Sequence, residues 1–400
     1  MFDIPIDFVL FALTLLGIAV FHRYTLPVAL TGLAAITIYK LAFTGFREGP
    51  GLGGLGLHLQ HEWVVLANLF LLLTGFALLS RHFEESRVPD ELPAILPHNW
   101  TGAFVLLAIV FVLSGFLDNI AAALIGGTMA RHVFKGKVHI GYLAALVGAS
   151  NGGGAGSVLG DTTTTMMWIA GISPLNVLDA YIPAAVALIV FGIPASRLQQ
   201  RYSAIEKQPP RRLRIEWMRL FIVGAILIAA VLANVVTNIK FPEVLDKAPV
   251  LGLAVWAVIL ATSPLRRPDW RVMPETAKGT LFLLALVLCA SMMPVDKLPT
   301  PSWQTSLGLG FASAVFDNIP LTALALKQGG YDWGMLAYAV GFGGTMTWFG
   351  SSAGVALANM YPEAKSVGLW LRHGWFVVLA YVLGFFVMLV ILGWKPDAPY

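Results

Sequence analysis

Long apolar runs alternate with short polar segments along the whole chain. The runs are about 16 to 24 residues long, which at ~1.5 Å rise per residue matches a hydrocarbon core ~30 Å thick. Because backbone groups in such a core must bond within their own segment, the runs are predicted to be membrane-spanning helices. The predicted spans are 6–21, 25–43, 63–80, 176–195, 217–236, 249–264, 279–294 and 370–393, and 44–62 is predicted to be a loop.

Two further apolar runs are each interrupted at their centre by an Asp-Asn pair. The first pair is Asp118-Asn119, and Asp317-Asn318 follows 199 positions later. Since Asn and Asp favour turns and helix caps, each run is predicted to be a re-entrant hairpin of two half-length helices. One continuous helix with a carboxylate in its middle is the alternative. The predicted hairpins are 101–133 and 302–326.

Glycines break the apolar run that follows each predicted hairpin. Six glycines lie between positions 148 and 160, and each would cost a helix interior up to ~1 kcal/mol. An unwound centre is therefore predicted in both runs, with close packing against a neighbouring helix as the alternative. The predicted broken helices are 138–170 and 333–360, in which Gly153-Gly154 and Gly160 align with Gly343-Gly344 and Gly350.

The same order of elements occurs twice, which predicts a duplicated fold. The predicted repeats are 1–196 and 217–400, joined by a basic cytoplasmic linker at 197–216. Each half has five full crossings if the hairpins return to their own sides, and an odd number inverts the second half. The predicted fold class is an all-α inverted-repeat secondary transporter with about ten transmembrane helices, two re-entrant hairpins and two broken helices.

Composition and charge support a membrane protein with a defined orientation. The chain is 57% hydrophobic and 12% charged, too few charges to cover a soluble globule of 400 residues. With the linker placed in the cytoplasm, 19 of the 26 Lys and Arg fall in loops on that side, so both termini are predicted outside. We expect a multi-pass protein of a bacterial inner membrane. The net charge of +4 follows from topology, and nucleic acid is not implied.

An inverted repeat brings its hairpin tips and broken helices together near the bilayer midplane. An ionised side chain there costs at least ~3 kcal/mol, so it persists mainly where it has a function. The convergent side chains offer oxygen ligands, which suit hard cations, and a carboxylate can also take up a proton. The predicted chemistry is therefore proton-coupled movement of a small cation. The convergent polar residues are Ser114, Asp118, Asn119, Asn151, Ser157, Asp161 and Thr162 to Thr164 from the first half, and Ser313, Asp317, Asn318, Thr345, Thr347, Ser351 and Ser352 from the second. Among them, the residues predicted to bind the cation and the proton are Asp118, Asn119, Asn151, Asp161, Thr163, Thr164, Ser313, Asp317, Asn318, Ser351 and Ser352.

The two halves differ in their acids. Asp161 aligns with Ser351, so the first half supplies one more carboxylate. We expect Asp118 and Asp161 to be the carboxylates that bind the cation and the proton; the resemblance described next implies that this cation is Na⁺. No resident cofactor is predicted, because the expected ions are substrates.

Several motifs resemble sodium/proton antiporters of the NhaD type. These are Ser-Gly-Phe-Leu-Asp118-Asn119, Gly160-Asp161-Thr-Thr-Thr, Ser313 with Asp317-Asn318, and Gly343-Gly344 through Gly350-Ser351-Ser352. The resemblance implies exchange of Na⁺ or Li⁺ for H⁺ by alternating access, with roles for Asp118, Asn119, Asn151, Asp161, Thr163, Thr164, Ser313, Asn318, Ser351 and Ser352. Because relatives in the wider ion transporter superfamily are often dimers, it also implies a homodimer.

Other functions are open to the same residues. The superfamily includes citrate and dicarboxylate carriers and arsenite permeases, so a symporter or effluxer of a small anion is the alternative; the Asp-Asn tip argues against a carboxylate substrate. An intramembrane aspartyl protease using Asp118 and Asp161 is more remote, since Val158 breaks its Gly-x-Gly-Asp pattern. The acids could also serve only as helix caps, and the threonines could bond back to the backbone.

Overall fold

A computed structural model describes residues 5–21, 24–205, 214–245 and 247–396. Within these ranges the regular elements are helices, apart from one bridge between Phe46 and Gly49. The first half contains α1 Ile6–Val20, α2 Thr25–Tyr39 extended by a π-helical turn Lys40–Thr44, α3 Gly51–Glu85, α4 Val88–Glu91, α5 Trp100–Ser114, α6 Asn119–Val133, α7 Ile140–Ala155, α8 Thr162–Ile169, α9 Pro174–Leu178 and α10 Tyr181–Tyr202.

The second half of the chain is also a series of long and short helices. It contains α11 Trp217–Lys240, α12 Pro242–Leu245, α13 Val250–Thr262, α14 Met273–Ser291, α15 Trp303–Ser313, α16 Asn318–Gln328, α17 Trp333–Gly343, α18 Ser352–Met360 and α19 Val367–Leu392.

Six helical segments of the described chain are long and apolar enough to cross a membrane: Thr25–Thr44, Gly51–Glu85, Pro174–Tyr202, Trp217–Thr237, Trp270–Ser291 and Val367–Leu392. Shorter apolar helices cover Ile6–Ile18, Trp100–Ser114 and Val250–Thr262. The prediction of an all-α, multi-pass membrane protein is therefore confirmed.

The chain forms two compact units, and each takes segments from both predicted repeats. The first unit comprises Met1–His82, Trp217–Leu298 and Ala323–Gln328. The second comprises Phe83–Glu216, Pro299–Thr322 and Gly329–Tyr400. All eleven predicted site residues belong to the second unit.

The first unit contains α3, and the predicted loop at 44–62 is wrong from residue 51 onward. Residues 51–62 form the first three turns of α3. Their polar side chains suggest a loop, but two of them have distant partners: His58 bonds Ser291 at 3.0 Å, besides Glu48 at 3.1 Å, and Glu62 pairs with Lys327 at 3.0 Å. Paired polar groups are compatible with an apolar setting, so the helix begins a dozen residues earlier than its hydropathy predicts.

In the second unit the chain leaves the helical path at both Asp-Asn pairs. Helix α5 ends at Ser114 and α6 begins at Asn119, while α15 ends at Ser313 and α16 begins at Asn318. The first pair of helices folds back on itself, because Gly126 of α6 lies against Val110 of α5.

The break in the first glycine-rich run lies further along the chain than its glycines suggest. Helix α7 continues to Ala155, so Gly148 and Gly152 to Gly154 are helical, and the non-helical segment is 156–161. A Cβ atom at Gly153 would overlap the Phe111 carbonyl of α5. These glycines therefore serve close packing, the alternative to unwinding, since a helix accepts glycine where packing repays the conformational cost.

The predicted linker begins later than 197. Helix α10 extends to Tyr202, so Arg197 and Arg201 are helical, and residues 206–213 lie outside the described part of the chain.

Candidate functional site

Asp161 is the centre of a buried polar network in the second unit. It is the N-cap residue of α8 and is 1% exposed. Its Oδ1 atom accepts hydrogen bonds from the backbone N–H and the hydroxyl of Thr163, each at 2.9 Å. The cap explains its position, because a helix that starts at membrane depth has N–H groups with no partner in the helix.

The two hairpin tips supply an asparagine each to this carboxylate. Asn119 Nδ2 donates to Asp161 Oδ2 at 3.1 Å, and Asn318 Nδ2 lies 3.5 Å from both oxygens. Asn119 and Asn318 occupy equivalent positions, the first residues of α6 and α16. The asparagines of the two Asp-Asn pairs thus converge on one acid.

Asn151 connects the two broken helices. Its Oδ1 accepts from Asn119 Nδ2 at 3.3 Å, while its Nδ2 donates to Thr345 Oγ1 at 3.1 Å and to Ser351 Oγ at 3.0 Å. Ser351 also caps α18, accepting from Gly354 N–H at 3.2 Å. The amide is fully buried, so each lost bond would leave an unpaired polar group away from water.

The hairpin aspartates lie beside this network rather than inside it. Asp118 caps α6 through a 3.1 Å bond to Ile120 N–H, and Asp317 caps α16 through a 3.1 Å bond to Ile319 N–H. Both are partly exposed, and both are close enough to Asp161 for their charges to interact with it. Ser352 donates to Asp317 Oδ2 at 3.4 Å.

Two serines hold the hairpin tips against the broken helices. Ser114 Oγ donates to the Ser150 carbonyl at 2.6 Å, and Ser313 Oγ donates to the Val340 carbonyl at 2.7 Å. Donors and acceptors match at the repeat offsets of 199 and 190. These serines therefore position the site and do not bond to Asp161 directly.

The threonines after Asp161 divide between two roles. Thr163 bonds the carboxylate, but the Thr164 hydroxyl donates to the carbonyls of Ser157 and Asp161, the latter at 2.8 Å. Thr165 does the same with Val158 and Asp161. The sequence left this alternative open for the threonines. Their hydroxyl groups give hydrogen-bond partners to backbone carbonyls of the unwound segment.

The network is asymmetric between the repeats. At an offset of 190, Gly341 stands where the first repeat has Asn151, and Ser351 stands where it has Asp161. A Cβ atom at Gly341 would lie 3.4 Å from Asp161 Oδ2, so the glycine leaves space beside the carboxylate. The acid and its bridging amide both come from the first broken helix.

Thr345, which the sequence places among the convergent polar residues, and Trp370, which it does not, complete the network. Thr345 accepts from Asn151, and the indole N–H of Trp370 donates to the Thr345 carbonyl at 3.1 Å. Trp370 is 1% exposed in α19. The position of Thr345 in the second broken helix indicates from the sequence that it could belong to the site. Nothing in the sequence indicates this for Trp370, because tryptophans in such a sequence are typical of packing and interfaces.

The chemistry of the site follows from its uncompensated charge. Among the described residues, no Lys, Arg or His forms an ion pair with any of the three aspartates. In the same ranges no group of three or more His, Cys, Asp or Glu is arranged to hold a metal ion, so amide, hydroxyl and carbonyl oxygens would have to complete any cation site. A buried carboxylate surrounded by neutral donors can be neutralised by a cation or by a proton.

The helices define an all-α, multi-pass membrane protein. No model of a known protein family matches the chain. It is similar to sodium/proton antiporter 1 of Arabidopsis thaliana, with 27% identity over 347 residues that cover 76% of the chain and 58% of that relative. The Na⁺/H⁺ antiporters NhaD of Alkalimonas amylolytica and Vibrio cholerae are 26% and 24% identical, covering 74% and 83% of the chain and 72% and 79% of theirs.

These similarities confirm the resemblance to NhaD-type antiporters that the motifs predict. The chain spans less than two thirds of the Arabidopsis relative but more of the bacterial ones. The relatives are named as transporters rather than enzymes, so the protease alternative is not supported and the anion alternative is not favoured.

Proposed function

We propose that this protein exchanges Na⁺ or Li⁺ for H⁺ across a membrane by alternating access, with Asp118 and Asp161 as the carboxylates that bind the cation and the proton. One observation carries the proposal: Asp161 is buried, accepts hydrogen bonds through both oxygens, and has no cationic partner among the described residues. The names of the relatives support the same exchange.

The cation and the proton would compete for the same negative charge, that of Asp161, and this competition couples their movements. Burying the ionised acid without a counter-ion is costly, so the site favours either a bound cation or a bound proton over neither. Asn119 and Asn318 donate to Asp161 through their Nδ2 atoms, which leaves their amide oxygens as ligands for a hard cation. A site that must release one ion to take the other couples the two movements.

The repeated architecture supports alternating access. Each repeat has the same local arrangement beside Asp161: a serine bond to the broken helix, an Asp helix cap and aligned glycines. In transporters, such repeats move against each other around a fixed midplane site. We propose an inverted arrangement with both termini outside, in a bacterial inner membrane, and a homodimer; loop charge supports the orientation and the resemblance supports the dimer.

Transport measurements in liposomes test this function. Purified protein is reconstituted with a pH-sensitive dye inside, and Na⁺ or Li⁺ is added outside. We expect an internal acid load to be relieved by the added cation, with no response in protein-free liposomes. Uptake of labelled citrate or arsenite without a Na⁺-evoked pH change would overturn the proposal.

Thr345→Val should weaken cation binding without abolishing exchange. The substitution keeps the shape but removes one of the two acceptors of the Asn151 amide. A net loss of about 1 kcal/mol predicts a roughly 5-fold rise in the Na⁺ concentration for half-maximal exchange. Thr280→Val is the matched control, since this buried hydroxyl of the first unit bonds only the Thr276 carbonyl. An unchanged half-maximal concentration in Thr345→Val would contradict the bridging role.

A further inference from the structure

A basic cavity lies in the second unit between α10 and α19, apart from the candidate ion site. Its volume is about 570 Å³, and it is lined by Ile193, Pro194, Arg197, Leu198, Arg201, Arg372, His373, Trp375 and Phe376. None of these nine residues is acidic. Cavities of about 300–1,000 Å³ with a few convergent polar groups are typical of ligand sites.

Both helices depart from regular geometry where they line the cavity. Pro194 lies inside α10 and lacks the N–H that would bond the preceding turn. Gly374 of α19 has φ −107° and ψ 15°, outside helical values. Helix irregularities of this kind let two packed helices separate locally. The irregular backbone at Pro194 and Gly374 therefore explains why there is space for a cavity between α10 and α19.

The charge of the cavity is positive. In the described ranges, no carboxylate lies within ion-pair distance of Arg197, Arg201 or Arg372. Arg197 is held over the Trp100 ring at 4.9 Å, an interaction that leaves its N–H donors free. Guanidinium groups bind phosphate oxygens through two parallel hydrogen bonds, so three of them around one cavity suit a phosphate group.

An apolar surface continues from the cavity along both helices. On α10, Ile189 is one turn from Ile193 and is 55% exposed; on α19, Leu379 is one turn from Trp375 and is 41% exposed, while Trp375 itself is 58% exposed. A free phosphate ion would make no use of this surface. An acyl chain would cover it, and tryptophan is enriched where headgroups meet hydrocarbon.

We propose that this cavity binds the phosphate headgroup of an anionic phospholipid, with the acyl chains along α10 and α19. Positive cavities between membrane helices on the cytoplasmic side hold such headgroups, and loop charge predicts that side for the arginines. The lipid would bridge the end of α10 to the start of α19, the helix that carries Trp370.

Native mass spectrometry of the detergent-purified protein tests the proposal. We expect phosphatidylglycerol and cardiolipin to remain bound in preference to phosphatidylethanolamine. Arg201→Gln with Arg372→Gln should weaken this binding roughly 30-fold, about tenfold per 1.4 kcal/mol at about 1 kcal/mol for each arginine. Arg267→Gln with Lys278→Gln removes the same charge from exposed positions of the first unit and should change nothing.

Three results would overturn the lipid site. They are equal retention of phosphatidylethanolamine, unchanged binding in the Arg201/Arg372 variant, and displacement of the anionic lipids by equimolar inorganic phosphate, which would assign the cavity to the free ion. Unfolding temperatures of both double variants, measured by tryptophan fluorescence, separate lost binding from lost folding.

Discussion

Asp161→Asn should reduce cation-evoked proton movement to the level of protein-free liposomes while the protein still folds. Asparagine caps a helix about as well as aspartate, so the bond to Thr163 N–H can persist. What the variant loses is the charge on which both ions depend. Because the wild-type charge is buried without a counter-ion, its removal should leave the unfolding temperature unchanged or raise it. The liposome assay and thermal unfolding in detergent measure the two effects.

Asp332→Asn is the matched control for this variant. Asp332 is 7% exposed and caps α17 through a 3.0 Å bond to Met335 N–H, so the same change removes a buried charge from a helix cap away from the network. Exchange should persist there. Asp118→Asn, at the hairpin tip, should abolish exchange as Asp161→Asn does and leave expression intact. Normal exchange by Asp161→Asn would refute the proposed role of this acid.

Gly153→Ala should destabilise the fold and stop exchange together. The added methyl group would overlap the carbonyl oxygen, carbonyl carbon and Cα atom of Phe111. Since these are backbone atoms of α5, the hairpin helix itself would have to move away from α7, at a cost of about 1–3 kcal/mol. That movement would separate Asn119 from Asn151 and Asp161. Thermal unfolding and the liposome assay should both report it.

The repeat supplies a companion and a control for that prediction. Gly343→Ala should act in the same way, because its methyl group would overlap the Gly310 carbonyl of α15. Gly308 of α15 has open space where a Cβ atom would be, so Gly308→Ala should be neutral or stabilising by about 0.5–1 kcal/mol, as expected for alanine in a helix. Equal unfolding temperatures for all three variants would contradict the packing argument.

Local signals in the sequence located the helix breaks at the two Asp-Asn pairs, but not the end of α7. The Asp118 and Asp317 carboxylates cap the helices that follow them, and Asp161 and Ser351 do the same for α8 and α18. Capping depends on residues two or three positions apart, which a sequence displays directly. Duplication then indicated that these ends belong to one site.

The secondary structure predicted from the sequence was wrong where it depends on a contact with a residue far away in the chain. Residues 51–62 are helical because His58 and Glu62 find Ser291 and Lys327, more than 230 positions away. Gly152 and Gly153 of α7 stay helical where Phe111 of α5 packs against them. A polar or glycine-rich segment has the same sequence whether or not such a partner exists, so no local rule separates the two cases.

By itself, the sequence determined the class of protein, the positions of the breaks at Asp-Asn and the acid that one repeat has and the other lacks. Hydropathy, capping and repetition are properties of neighbouring or aligned residues, and they can be read without coordinates. Only the tertiary structure decided which groups contact Asp161, that Thr164 bonds the backbone instead, and that Thr345 and Trp370 support Asn151. Those choices depend on how segments nearly two hundred residues apart pack together in a medium where each buried polar atom needs a partner.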